Sequence, residues 1–322
     1  MPKPIVIRKS QPTQSDVHID ALLTNISVAY VQADYVADQV FPVIPVDKQS
    51  NKYFIYTKND WFRDEARARA DSTESAGSGY GLSTASYFSD VFAIHKDVGD
   101  QVRGNTDSPL DPDRDATLFL TQRLLLRREI QWVADFFATS IWATDATPAN
   151  LWSDYTASDP IDDIELGKQT ILSTTGFMPN TLLLGYQVFR KLKHHPDIVD
   201  RFKYTTANVV TEQLLASLFG VDRVLVAKAV KATNVEGETA AYSFTHGKNA
   251  LLCYSNPSPG LLAPSAGYIF TWTGVSGGLG TNIGISRFRM EQLKADRIEG
   301  QLAFDNKAVA TDLGYFFSGA VA

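Results

Sequence analysis

"DSPLDPDRDATLFLTQRLLLRREIQWVADFFATSIWATD", residues 107–145, is the stretch whose reading decides the fold. Aspartates and prolines crowd its start, where a helix accepts a fixed φ and its first N–H groups need acceptors. Phe119, Leu126, Ile130, Val133, Phe137 and Ile141 then recur at helical spacing, and Leu118, Leu125, Trp132 and Phe136 widen the stripe. This predicts one helix from Asp115 to Trp142, roughly 42 Å long at 1.5 Å per residue. Such a helix spans a whole domain. Arg127, Arg128 and Glu129 fall between the apolar positions and are read as a solvated or interface face.

Towards the N-terminus, "NKYFIYT" (51–57) and "SYFSDVFAIHKDV" (86–98) have the aromatic, β-branched and alternating character of strands. Between them runs "KNDWFRDEARARADSTESAGSGYGLST", far longer than a usual hairpin loop of about 2–5 residues. The pattern predicts a long two-stranded arm. An isolated hairpin is marginal in water, so the arm is expected to draw support from a neighbouring subunit. Further upstream, residues 1–17 read as an extended arm, Leu22 to Ala33 keep a helical period, and "FPVIPV" (41–46) is forced extended by its prolines.

Towards the C-terminus, residues 145–160 read as a linker, after which helices and strands alternate. Helices are expected over "PIDDIELGKQTILSTT", "YQVFRKLKHH" and "TEQLLASLFG", and strands over "NTLLLG", "DRVLVAKAVKA", "ALLCYS" and "GYIFTW", with a glycine-rich stretch at 274–284. The last segment, from Arg289, reads as extended pieces joined by turns at "EG" (299–300) and "DN" (305–306). These pieces are expected to pair with an early strand and pack on the long helix.

With 322 residues, 44% apolar and 20% charged, the chain has material for a sizeable core shared among two or three lobes. The net charge of −6 and scattered Lys and Arg argue against a nucleic-acid grip, which needs a basic face. The single cysteine, Cys253, sits among apolar neighbours and is read as a buried, inert thiol. The N-terminus lacks a signal peptide's apolar run and no segment approaches a membrane span, so a soluble protein made in the cytoplasm is expected.

The chemical motifs are weak. His194 and His195 are adjacent in "KLKHHPDIVDRFKY" (191–204), with Asp197 two places beyond. Neighbours on a helix point about 100° apart, so the two imidazoles cannot share an ion, and Pro196 is expected to end the helix at His195. The preferred reading is a polar helix end, exposed or at a subunit contact. A metal-dependent hydrolase using His194, His195 and Asp197 is the weaker alternative. "GVSGG" (274–278) matches a nucleophile elbow in letters, but no helix former follows and every histidine precedes Ser276. "DPDRDA" (111–116) lacks the central glycine and closing glutamate of a calcium loop. No catalytic residue, metal or cofactor is assigned.

The order of elements carries more than any motif. "LLTNISVAYVQADYVADQVFPVIPV", "NTLLLGYQVFRKLKHHPDIVDRFKY" and "IEGQLAFDNKAVATDLGYFFSGAV" occur in the order of, and resemble, the N-arm, axial-domain and closing peripheral segments of tailed-bacteriophage major capsid proteins with the Hong-Kong-97-type fold. The resemblance covers nearly the whole chain. It implies an α+β fold with an N-arm (1–46), an extended E-loop hairpin (47–97), a peripheral domain (98–160 and 285–322, spine helix about 115–143) and an axial domain (161–284). It further implies pentamers and hexamers closing into an icosahedral shell around double-stranded DNA, inside a virion assembled in the host cytoplasm.

On that reading Tyr53, Phe54, Trp61 and Phe62 are candidate intersubunit contacts. The partners implied are further copies of the chain, a portal and, because the arm begins almost at Met1, a separate scaffolding protein. A decoration protein is compatible with the reading, and DNA is enclosed without sequence-specific binding. A lysine–asparagine crosslink, known in some members, has no marker here, although Lys52 and Lys58 lie in the right region. An encapsulin-like nanocompartment shell is the alternative within the same fold.

Overall fold

The computed structural model describes residues 32, 34–107, 110–202, 210–260, 262–275 and 283–322. The helical period up to Ala33 and the glycine run beyond Val275 lie outside the described residues. Along the chain the helices are α1 (Ala37–Val40), α2 (Lys58–Trp61), α3 (Asp100–Gly104), α4 (Pro112–Phe136), α5 (Pro160–Thr175), α6 (Tyr186–Leu192), α7 (Pro196–Phe202) and α8 (Glu212–Phe219). The strands are β1 (Val43–Val46), β2 (Ser50–Tyr56), β3 (Leu82–Phe88), β4 (Asp90–Gly99), β5 (Thr144–Ala146), β6 (Thr181–Gly185), β7 (Arg223–Ala227), β8 (Val230–Ala232), β9 (Tyr242–Phe244), β10 (Ala250–Cys253), β11 (Gly267–Trp272), β12 (Gly284–Met290), β13 (Ala295–Ala308) and β14 (Gly314–Phe317).

The long helix α4 starts as its sequence requires. The Asp111 carboxylate accepts the N–H groups of Asp113 and Arg114 at 3.1 and 3.3 Å, and Pro112 occupies the first turn. It ends at Phe136, short of the expected Trp142. The Trp142 indole N–H turns back to donate to the Phe136 carbonyl at 2.7 Å, and Ser140 adopts a φ of 66°. The chain thereby reverses into β5. The buried stripe is also rotated from the expected one. It comprises Ala116, Leu120, Leu124, Arg128, Glu129, Trp132 and Phe136, whereas Leu118 and Phe119 face outwards. Lys96 and Arg123 cover the Phe119 ring at 5.6 and 5.2 Å. Each fully buried large apolar side chain on the stripe contributes about 1.5–3 kcal/mol.

Beneath α4 lies a sheet organised on β13. This strand pairs antiparallel with β4 along one edge and with β12 and β11 along the other, and β1 extends the sheet in parallel with β11. The turns expected at Glu299–Gly300 and Asp305–Asn306 are absent; both pairs sit inside one 14-residue strand. Strand pairing, on both edges at Glu299–Gly300 and with β11 at Asp305–Asn306, outweighs their local turn preference. The early strand expected at 86–98 is two strands, broken at the buried Ser89. β3 pairs with β2, while β4 joins β13.

A second sheet has the order β5-β14-β10-β6-β7, parallel at β5/β14 and β6/β7 and antiparallel between. Every residue of β6, β10 and β14 is buried. Helix α5 approaches this sheet closely at Gly167, where a Cβ would meet Leu252 and Phe317 at 3.3 Å. Sequence order does not divide the sheets as expected. β14, from the closing segment, lies in the second sheet, and β11, from the middle segment, lies in the first. One hydrophobic core consequently runs from Val36 and Phe41 through Trp132 and Phe136 to Leu183, Leu251 and Phe316.

At one end of the first sheet an ion-pair ring ties four elements together. Arg103 on α3 reaches Asp113 on α4 at 2.8 Å and Asp296 on β13 at 3.1 Å. Arg287 on β12 binds Asp113 at 3.2 Å and also Asp296. Arg289 closes the ring to Asp100 at 2.6 Å and to Asp296 at 3.3 Å. Direct hydrogen bonds from Arg287 and Arg289 hold the Asp296 carboxyl below the usual carboxylate range, and those from Arg289 do the same for Asp100.

Candidate intersubunit surface

The β2–β3 ribbon rests on the first sheet through a stack of aromatic rings. Its register pairs Tyr53 with Ala85 and Phe54 with Thr84, so alternate side chains face the body. Tyr53 and Tyr87 both stack on Phe270 of β11, with centroids 5.7 and 4.6 Å away. The Phe88 N–H donates to the Asp305 carboxylate at 2.8 Å and the Ser89 N–H to the Gln49 carbonyl at 2.9 Å. These contacts fix the base of the ribbon on the sheet.

The far end carries aromatics with little cover. Phe54, Trp61 and Phe62 are 58, 54 and 62% exposed. Trp61 lies near Tyr56 and Tyr80, with centroids 6.2 and 6.1 Å away, and the Phe62 ring lies where a Cβ on Gly176 would meet it at 3.4 Å. Helix α2 is anchored by Lys58 to Asp312, and the Asp60 carboxylate accepts the Gly81 N–H at 2.8 Å. Residues 66–81 are exposed throughout. All four aromatics singled out in the sequence line one apolar groove of about 1000 Å³, walled opposite by the 259–265 loop and the 309–313 turn. Tyr53 differs from the other three because it is already packed within the chain.

The histidine pair separates as helical geometry requires, but its environment corrects the expectation of an exposed helix end. His194 is exposed, whereas His195 is fully buried. Helix α6 stops at Leu192, and Pro196 opens the next helix, α7, instead of merely ending the first. His195 Nε2 lies 3.0 Å from Ser158 Oγ, and its Nδ1 lies 3.5 Å from an Asp197 carboxylate oxygen. In outline this is a serine–histidine–aspartate row. Ser158, however, donates its hydroxyl proton to the Asp154 carbonyl at 2.5 Å, so Nε2 must carry a proton and donate to the serine. That is the reverse of general-base geometry. Tyr155 meets the imidazole edge-on and helps to close the cluster. Among the described residues no group of His, Cys, Asp or Glu could hold a metal ion.

The polar cluster that sequence reasoning missed lies on α4. Glu129, fully buried, accepts the N–H of Val36 at 3.2 Å and of Ala37 at 3.0 Å, and Arg128 pairs with Asp38 at 2.5 Å. Burial drives the Glu129 carboxyl up to about 7, against the lowering effect of those two N–H groups. Burial also pushes the nearby His246 imidazole down to about 3. The available signal was a charged pair interrupting an apolar helix period. Cys253 is buried and its thiol is pushed up to about 12 by burial, as its apolar neighbours led one to expect.

Comparison with known proteins finds similar sequences and folds among phage capsid proteins. No family model matches the chain. The major capsid protein of Burkholderia phage BcepMu is 26% identical over 314 residues, covering 94% of this chain and 96% of that one. A phage-related protein from Bordetella bronchiseptica superposes with a TM-score of 0.67 at 21% identity, covering 90% of this chain and 94% of that one. The capsid protein of cyanophage P-SCSP1u superposes with a TM-score of 0.63 at 10% identity, covering 98% of each. The shared architecture is the Hong-Kong-97-type fold, which encapsulin shells also carry.

Proposed function

We infer that this chain, a phage major capsid protein of the Hong-Kong-97-type fold, builds pentamers and hexamers that close into an icosahedral shell around packaged double-stranded DNA. The observation that carries the assembly reading is the ribbon with its uncovered aromatics. A two-stranded ribbon is marginal alone, and an exposed apolar groove of this size marks a surface meant to be covered. Further copies of the chain are the partners that cover it. The end-to-end alignment with a phage capsid protein favours the virion over an encapsulin-like compartment, since the fold is common to both.

Within that role, residues 1–46 act as the N-arm and 47–97 as the E-loop, of which the β2–β3 ribbon is not hydrogen-bonded into the main sheet but rests on it through Tyr53 and Tyr87. Residues 98–160 with 285–322 form the peripheral domain and 161–284 the axial domain, with β11 and β14 exchanged between their sheets. A separate scaffolding protein and a portal complete the assembly line in the host cytoplasm. The mild negative charge suits an inner wall that must not grip DNA. We assign no catalytic step to the chain, because the Ser158 hydroxyl is committed to the Asp154 carbonyl and His195 is fully buried.

Electron microscopy of the expressed protein, alone and with the product of the neighbouring scaffolding gene, tests the proposal. Capsomers or closed shells are expected. A chain that stays monomeric under both conditions would sink the shell reading.

A further inference from the structure

The Glu129 pocket has a charge balance that constrains how the N-terminal segment docks. Residues 34–41 lie against α4, burying Val36, Ala37, Val40 and Phe41. The groups facing Glu129 are Asp38 and Tyr35 on that segment, Arg128 on its own helix, and His246 in the loop before β10. The one cation, Arg128, is committed to Asp38. An ionised Glu129 is offset by two N–H dipoles and by Arg128, but the attraction of Arg128 is outweighed by the repulsion from Asp38, and a buried charge so poorly compensated tends to neutralise.

The oxygens are arranged for that outcome. Oε2 accepts both amides, at 3.2 and 3.0 Å, while Oε1 has only a 3.3 Å contact to Val36 N–H and lies 3.8 Å from His246 Nδ1. Oε1 can thus carry a proton while Oε2 keeps both hydrogen bonds. His246 could neutralise the pocket instead, but its Nε2 is buried without a hydrogen-bond partner, so an imidazolium there would leave a donor stranded.

We propose that this pocket is a proton-linked latch: residues 34–41 close on the long helix with a solvent proton taken up on Glu129, and loosen when that proton is lost. The undocked carboxyl is solvated and takes its ordinary value of 4.5, against about 7 when docked. His246 is packed on Trp132 and Phe137 and stays buried and neutral in both states, so docking binds a proton. Docking is strongest below 4.5, weakens as pH rises through the interval, and levels off above about 7. The latch sets how firmly residues 34–41 are held against the long helix.

Hydrogen exchange at the Val36 and Ala37 amides, the groups bound to Glu129, reads the latch directly in the full chain and does not depend on shell formation. After correction for intrinsic exchange, their protection is expected to fall roughly 70-fold between about pH 5 and pH 8. Glu129→Gln keeps an acceptor but cannot titrate, and should flatten the profile. Asp38→Asn frees Arg128 to neutralise Glu129, and should move the transition to lower pH. If Glu129→Gln does not fold, carboxyl-carbon NMR of the glutamate-labelled wild-type chain takes its place, with one resonance expected to titrate near 7. A flat wild-type profile, an unchanged slope in Glu129→Gln, or no glutamate titrating near 7 overturns the latch.

Discussion

Gly300 and Leu124 meet where the long helix crosses the central strand: a Cβ on Gly300 would fall 2.8 Å from Leu124 Cδ1. The helix can sit this low on β13 only because the strand offers no side chain there. Gly300→Ala should destabilise the chain by about 1–3 kcal/mol through overpacking, and Leu124→Ala by about 2–5 kcal/mol through the cavity it leaves. The double variant should lose less than the sum, because each change makes room for the other. Denaturant unfolding of the four proteins closes the cycle, and strictly additive losses would show that the two residues are not in contact.

The exposed aromatics should separate folding from assembly. Phe54→Ala and Trp61→Ala remove side chains with little cover inside the chain, so unfolding free energy should change by no more than about 0.5 kcal/mol. Assembly should suffer far more: burial of such anchors at an interface predicts at least a tenfold rise in the concentration needed to form capsomers, about 1.4 kcal/mol. Tyr53→Ala should behave differently, because its ring already stacks on Phe270. A loss of about 1–3 kcal/mol in the monomer is expected there. Sedimentation velocity and denaturation on the same preparations distinguish the two classes. Equal monomer destabilisation by all three changes would mean that the groove is part of the core and no interface.

The parts of the fold legible in the sequence are those fixed by neighbouring residues. The start of α4 was readable because Asp111, Pro112 and Asp113 act within one turn of each other. Its end was not, since Trp142 must fold back on Phe136 to cap it. The buried face of α4 was misplaced because a helix with apolar residues on several sides takes its inner face from its partners. Arg128 and Glu129 are inside because Asp38 and the Val36 amide meet them, the latter from 93 residues upstream. Glu299–Gly300 and Asp305–Asn306 look like turns until β13 is paired with its distant neighbours. The exposure of Phe54, Trp61 and Phe62 follows from a long polar insertion that gives them little cover, whereas the packing of Tyr53 on Phe270 has no local signal. Their convergence on one groove depends on the 259–265 loop, which nothing local announces.

The ion-pair ring predicts a specific acid sensitivity. Asp97, Asp100 and Asp296 have carboxyls held below their ordinary values, chiefly by hydrogen bonds from Arg297, Arg289 and Arg287 respectively. Depressed carboxylates contribute stability that is present above the unfolded value of about 3.9 and is lost as pH falls through the folded value. The melting temperature should therefore drop steeply below about pH 4. Asp296→Asn, which removes the carboxylate shared by Arg103, Arg287 and Arg289, should lower the neutral-pH melting temperature and make the acid slope shallower. High salt should mimic part of the effect at neutral pH. Thermal scans across the acid range provide the check, and an acid slope unaltered by Asp296→Asn would place the sensitivity elsewhere.

His194 and His195 should respond in opposite ways despite being neighbours. His194→Ala alters an exposed side chain and should change stability by no more than about 0.5 kcal/mol. His195→Ala leaves a cavity beneath Tyr155 and strips the Ser158 hydroxyl of its donor, so a loss of about 2–4 kcal/mol is expected. Asp197→Asn should be mild, because that carboxylate is half exposed and lies 3.5 Å from Nδ1. If these residues bound a metal, all three substitutions would abolish a melting-temperature shift caused by added zinc, and a chelator would lower the melting temperature of the untreated protein. Neither effect is expected. A chelator-induced drop that vanishes in both histidine variants would require His194 and His195 to converge on one ion, which the outward direction of the first and the buried position of the second oppose.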